Sequence, residues 1–124
     1  MSLIHGFAES FSHAWRGLLL AFRTERSFRI HIAASIVVLL ACMLFPLAAW
    51  ERAVLLLATA SVLVLELLNS MVERLTDLVK PRIHAYAHDI KDLMAAAVLI
   101  ASSFAAALGF FILIPHLGAF LDRI

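Results

Sequence analysis

The segment "ELLNSMVERLTD", residues 66–77, sets Glu66, Asn69, Glu73 and Asp77 directly behind an uncharged run, residues 53–65. At about 100° per residue the four side chains fall within an arc of roughly 80° on one helix face. The stripe runs about 16 Å along the helix axis. An ionised carboxylate facing lipid costs at least about 2–3 kcal/mol, so such a stripe must face protein, water, metal or substrate. Two neighbouring segments add to it. "RTERSFR" carries Glu25, and "HDIKDLM" carries Lys91 and Asp92.

Carboxylates with an amide suit a hard divalent cation such as magnesium, which binds oxygen and keeps some of its water. A lysine meets phosphate as a point charge. A carboxylate at the headgroup boundary can take a proton from a lipid hydroxyl. Magnesium, phosphate and an alcohol together point to phosphoryl transfer to a lipid. No Gly-rich loop ending in Gly-Lys-Ser/Thr is present, and no kinase-type Gly-rich loop. Taken singly, Glu73, Asp77 and Asp92 read better as solvated interfacial charges beside Arg74, Lys80 and Lys91. Glu66 does not, because of its depth. A small oligomeric transporter with Glu66 as its coupling acid is a second reading that spacing permits. Clustering of the other acids and Lys91 on one membrane face argues against it. A non-catalytic scaffold would leave Glu66 costly and unexplained.

These groups must be carried by membrane helices. The 124-residue chain is 64% hydrophobic and 15% charged, with mean hydropathy +0.99. Soluble domains are typically about half apolar and a quarter charged. The net charge of +1 gives no field to draw nucleic acid. Cys42, the single cysteine, lies in an apolar run and reads as a small buried hydrophobe. No removable signal peptide is expected.

The fold expected is all-α: an N-terminal amphipathic surface helix at about 3–24, then three transmembrane helices at about 30–49, 52–79 and 91–115, in a single domain over residues 1–124. Pro46 finishes or kinks the first span. The middle uncharged run covers only about 20 Å as a helix, so the helix must continue past Glu66 to cross. The third span is rich in alanine and serine, which allow close helix approach. Arg16, Arg23, Arg26 and Arg29 precede the first span, and Arg74, Lys80, Arg82 and Lys91 separate the second from the third. Arg52 and Arg123 stand on the opposite side. This bias makes the N-terminus and the acidic stripe cytoplasmic and the C-terminus external. Trp15 and Trp50 read as interfacial belt residues. His84 and His88 are too few for zinc.

The segment from Glu66 to Ser102 resembles the small prokaryotic diacylglycerol kinase and undecaprenol kinase family. That family has a Glu, an Asn three on, then Ser or Thr, a Glu seven on and an Asp eleven on, followed by a histidine loop, Lys-Asp and an Ala-rich segment. "AWRGLLLAFRTERSFRIH" resembles its N-terminal region. The resemblance implies a bacterial inner-membrane lipid kinase, assembled as a homotrimer with active sites shared between subunits. By motif position, Glu66 would be the catalytic base, and Glu25 and Glu73 would hold magnesium. ATP would be met by Glu25, Asn69, Glu73, Asp77, His84, Lys91 and Asp92. The lipid substrate would lie against Glu66, Trp15 and Ala95. "KPRIHAY" has Arg82 and Ile83 where relatives often carry Glu and Tyr, a departure in a segment that faces the nucleotide in the family. Alanines follow Lys91-Asp92 where relatives commonly have Gly or Ser. The acceptor reads as diacylglycerol, with undecaprenol the alternative. "ELLNS" resembles the diacylglycerol branch, while "TDLVKP" and "ILIPH" look closer to the undecaprenol branch.

Overall fold

A computed structural model describes residues 2–124, with the side chains of residues 80, 81, 83 and 84 outside the description. Three helices follow in order: α1 (Leu3–Thr24), α2 (Arg26–Leu44) and α3 (Ala49–Leu121). No strand occurs among the described residues.

α1 starts at Ser2, whose hydroxyl accepts from the His5 backbone N–H. Its apolar face, with Leu3, Ile4, Phe7, Phe11 and Trp15, is exposed, and only Ala21 is buried. A face of this kind lies comfortably in a headgroup layer. The helix ends where Glu25 turns to extended backbone. Arg29, from the next helix, donates to the carbonyls of Phe22 at 2.8 Å and Arg23 at 3.2 Å. A cation there satisfies carbonyls that have no partner within α1 and complements the helix dipole.

α2 stops at Leu44, earlier than the expected 49. Phe45 is extended, the conformation a residue takes before proline, and Pro46 follows. Glu51 then caps α3 by accepting from the Ala48 N–H at 2.9 Å. Arg52 reaches back to the C-terminal carbonyls of α2, donating to Cys42 O at 3.0 Å and Phe45 O at 3.4 Å.

α3 is helical throughout its 73 residues. A straight helix of that length would measure about 110 Å. It is not straight. Lys91 Nζ meets Asp77 Oδ1 at 2.6 Å, and His116 Nε2 meets Glu51 Oε2 at 3.3 Å. Both pairs centre near residue 84, so α3 doubles back there into two arms. The arms contain the apolar segments Ala49–Val79 and Ala85–Leu121, each long enough to cross a membrane, as is α2. The sequence between them includes Pro81, which has no N–H to continue a helical ladder. The third expected span, 91–115, is longer as a helix, because residues 85–90 carry no glycine or proline to stop it.

α2 runs antiparallel to the first arm, and the second arm returns beside both. At the end remote from the hairpin turn, Cys42, Leu47, Leu55 and Ile112 form a buried cluster flanked by Val38, Phe45, Val54 and Leu113. Phe45 and Phe120 stack edge to face there, centroids 6.1 Å apart. Elsewhere large apolar side chains such as Leu57, Leu99, Phe104 and Phe110 point outward. In water this surface would drive aggregation. In a bilayer it is solvated, and the helices satisfy their own backbone.

Candidate active site

Glu66 sits on the first arm with only 3% of its surface exposed. Two side chains from α2 meet its Oε1. The Ser27 hydroxyl donates at 3.0 Å, and His31 Nε2 lies at 3.1 Å. A buried carboxylate needs such partners, because desolvation without them is prohibitive. The sequence reading missed both donors, although they stand within the quoted "RSFRIH". Hydropathy alone gives no signal for a contact spanning 35 or more residues.

Burial falls steadily along the acidic stripe. Glu66 is buried, Asn69 and Glu73 are half-buried, and Asp77 is exposed. The stripe therefore climbs out of the bundle toward the hairpin turn. Lys91 returns on the second arm and pairs with Asp77. Asp92, next to it, is exposed.

Glu25 occupies the break between α1 and α2. Thr24, beside it, accepts from Arg74 Nη2 at 3.1 Å. With Ser27 and His31 at the level of Glu66, the antiparallel register carries Glu25 toward the level of Glu73. Both carboxylates are half-buried. Two carboxylates at the polar end of a bundle fit a hard cation that completes its shell with water and phosphate oxygens. Among the described residues no group of three or more His, Cys, Asp or Glu converges within one chain.

An apolar groove of about 590 Å³ lies between α1 and the first arm, lined by residues including Gly17, Leu18, Ala21, Leu67, Ser70 and Arg74. It opens one helical turn from Glu66. Trp15 and Ala95, expected at the lipid, are both exposed and do not line this groove. His84, expected at the nucleotide, lies outside the described residues.

A helical membrane protein with a buried carboxylate beneath a charged end is thus defined by fold and site. The family model for prokaryotic diacylglycerol kinase matches residues 12–113, and the chain belongs to that family. It is 42% identical over 109 residues to a diacylglycerol kinase of Synechocystis, covering 87% of this chain and 62% of the relative. It therefore spans less than two thirds of that protein's length. An undecaprenol kinase of Bacillus subtilis is 35% identical over 92% of this chain and 93% of its own. A diacylglycerol kinase of Escherichia coli is 33% identical over 86% of this chain and 87% of its own.

Proposed function

We propose that this chain is an ATP-dependent lipid kinase of the bacterial plasma membrane, with its charged end and active site in the cytoplasm. The observation that carries the reading is Glu66, an almost fully buried carboxylate at the foot of a polar stripe, partnered by donors and adjoining an apolar groove. The lipid alcohol arrives laterally and sets its hydroxyl at Glu66. The carboxylate takes the hydroxyl proton while the alcohol oxygen attacks the γ-phosphorus. The bond from that phosphorus to the bridging oxygen breaks, releasing ADP.

Glu25 and Glu73 would hold magnesium, which, when bound with the nucleotide, neutralises charge on the transferred group. Lys91 would leave Asp77 for the phosphates, an exchange that an exposed ion pair allows at little cost. Asn69, Asp77, His84 and Asp92 would order the nucleotide. Trp15 and Ala95 would border the lipid. Assembly as a homotrimer with shared sites would cover part of the apolar surface of the second arm and bring further groups to each site.

Diacylglycerol, giving phosphatidic acid, is the acceptor we favour. Undecaprenol is the second reading, favoured by the near full-length match to the Bacillus undecaprenol kinase. The test is purified protein in mixed micelles with labelled ATP, magnesium and either alcohol. A labelled lipid product from one of them supports the reading and selects the acceptor. No product from either would leave transport by Glu66 as the better account.

A further inference from the structure

We infer that Ser27 and His31 are positioning residues for Glu66, an inference that rests on Glu66 being the base proposed above. The two stand four apart on α2 and therefore share one helix face, a turn apart. Both address the same atom. Ser27 Oγ lies 3.0 Å from Glu66 Oε1 and His31 Nε2 lies 3.1 Å from it. For His31 to donate, its proton is on Nε2, since a bare nitrogen lone pair would repel the carboxylate.

Among the described residues no hydrogen bond reaches Oε2. This asymmetry is what a base requires. A glutamate side chain has several rotatable bonds, and a carboxylate free to turn would point its lone pairs at a hydroxyl only part of the time. Two donors on Oε1 fix the rotation and offset the cost of burial, leaving Oε2 to accept the proton. The donors come from α2 and the base from the first arm of α3, so packing of these two helices sets the aim of the carboxylate. His31 is also three-quarters buried. Competing water is thereby kept from Oε1 on that side.

A purely structural pair would also satisfy a buried acid, so the test must separate aim from folding. The full-length protein is assayed in mixed micelles with MgATP and diacylglycerol, and again with undecaprenol, alongside a thermal melt in detergent. His31→Leu is expected to lower kcat about tenfold or more while leaving the KM for ATP unchanged. His31→Gln, which keeps an N–H donor of similar reach, is expected to restore most of the loss. Ser27→Ala, which removes one hydroxyl from a mostly exposed position, is expected to fold normally and lose several-fold in kcat. The double variant is expected to lose less than the product of the two, because both act through one oxygen.

Wild-type kcat in both single variants overturns the inference. So does a loss that follows the melting temperature and is not rescued by glutamine. Glu66→Gln separates the two levels of the argument. If Glu66→Gln retains turnover, the base assignment itself fails. If it is inactive while Ser27→Ala and His31→Leu match wild type, only the positioning role falls.

Discussion

Lys91 and Asp77 are joined at 2.6 Å although a straight helix would hold them about 21 Å apart. The contact closes the hairpin of α3 and returns a cation to the open end of the acidic stripe. It is an exposed pair, with 61% of the Asp77 side chain in contact with solvent. Such pairs contribute only about 0–1 kcal/mol to stability. On the reading proposed above, its value lies in placing the Lys91 charge where a phosphate would take it over from Asp77.

Replacing Lys91 by glutamine is accordingly expected to leave the melting temperature almost unchanged and to reduce kcat/KM for ATP about a hundredfold. The removed charge would face the nucleotide in both ground and transition states, so KM should rise as well as kcat fall. Steady-state kinetics against ATP, paired with a thermal melt, measures both. A large fall in melting temperature with normal kinetics would make the pair structural.

Glu66→Gln keeps shape and an acceptor oxygen for Ser27 and His31 while removing the proposed base. Turnover is expected to fall about 10²–10⁴-fold. Folding should survive, because a neutral amide is easier to bury than a carboxylate. Size-exclusion elution like wild type together with lost lipid phosphorylation would fit; normal turnover would end the assignment.

The Glu66 stripe was legible in the sequence because charge beside a long apolar run is conspicuous and helix periodicity fixes which residues share a face. The three apolar spans were legible for the same reason. Ser27 and His31 were not, since a hydroxyl and an imidazole near an apolar span carry no mark of which distant helix they face. The Glu51–His116 contact at the other end was hidden likewise, 65 residues apart. Pro46 signalled the end of α2 but not its position, because proline restrains the residue before it and the helix closed at Leu44. Trp15 and Ala95 were expected at the lipid substrate, and a single chain leaves both exposed.

Leu55 tests the far end of the bundle. It is 2% exposed and packed with Cys42, Leu47 and Ile112. Leu55→Ala opens a cavity where α2 and both arms meet, and large-to-small changes of this kind cost about 2–5 kcal/mol in well-packed cores. A lower melting temperature in detergent is expected, with KM for ATP unchanged, since the cluster lies at the opposite end from Lys91. A selective change in nucleotide affinity would contradict the separation of core and site.

Glu73→Gln removes one of the two carboxylates proposed to hold magnesium. The residual Glu25 would hold the ion more weakly, so the magnesium concentration for half-maximal activity should rise about tenfold or activity should cease. Titrating magnesium at fixed ATP distinguishes this from a change in lipid affinity. An unchanged magnesium profile would remove Glu73 from the metal site.

The proposed orientation rests on where the cations stand. Arg16, Arg23, Arg26 and Arg29 lie around the α1–α2 break, Arg74 and Lys91 at the same end of the bundle, and Arg52 and Arg123 toward the other. Short loops rich in Arg and Lys stay in the cytoplasm. Cys42 is buried and can be replaced by alanine to give a thiol-free background. Ser2→Cys and Arg123→Cys, made separately, then put single thiols at two exposed positions that the proposed topology sets on opposite faces. A membrane-impermeant maleimide should label position 123 on intact spheroplasts and position 2 only in inside-out vesicles. The reverse pattern would put the carboxylate stripe outside the cell, away from ATP, and the kinase reading would lose its source of phosphate.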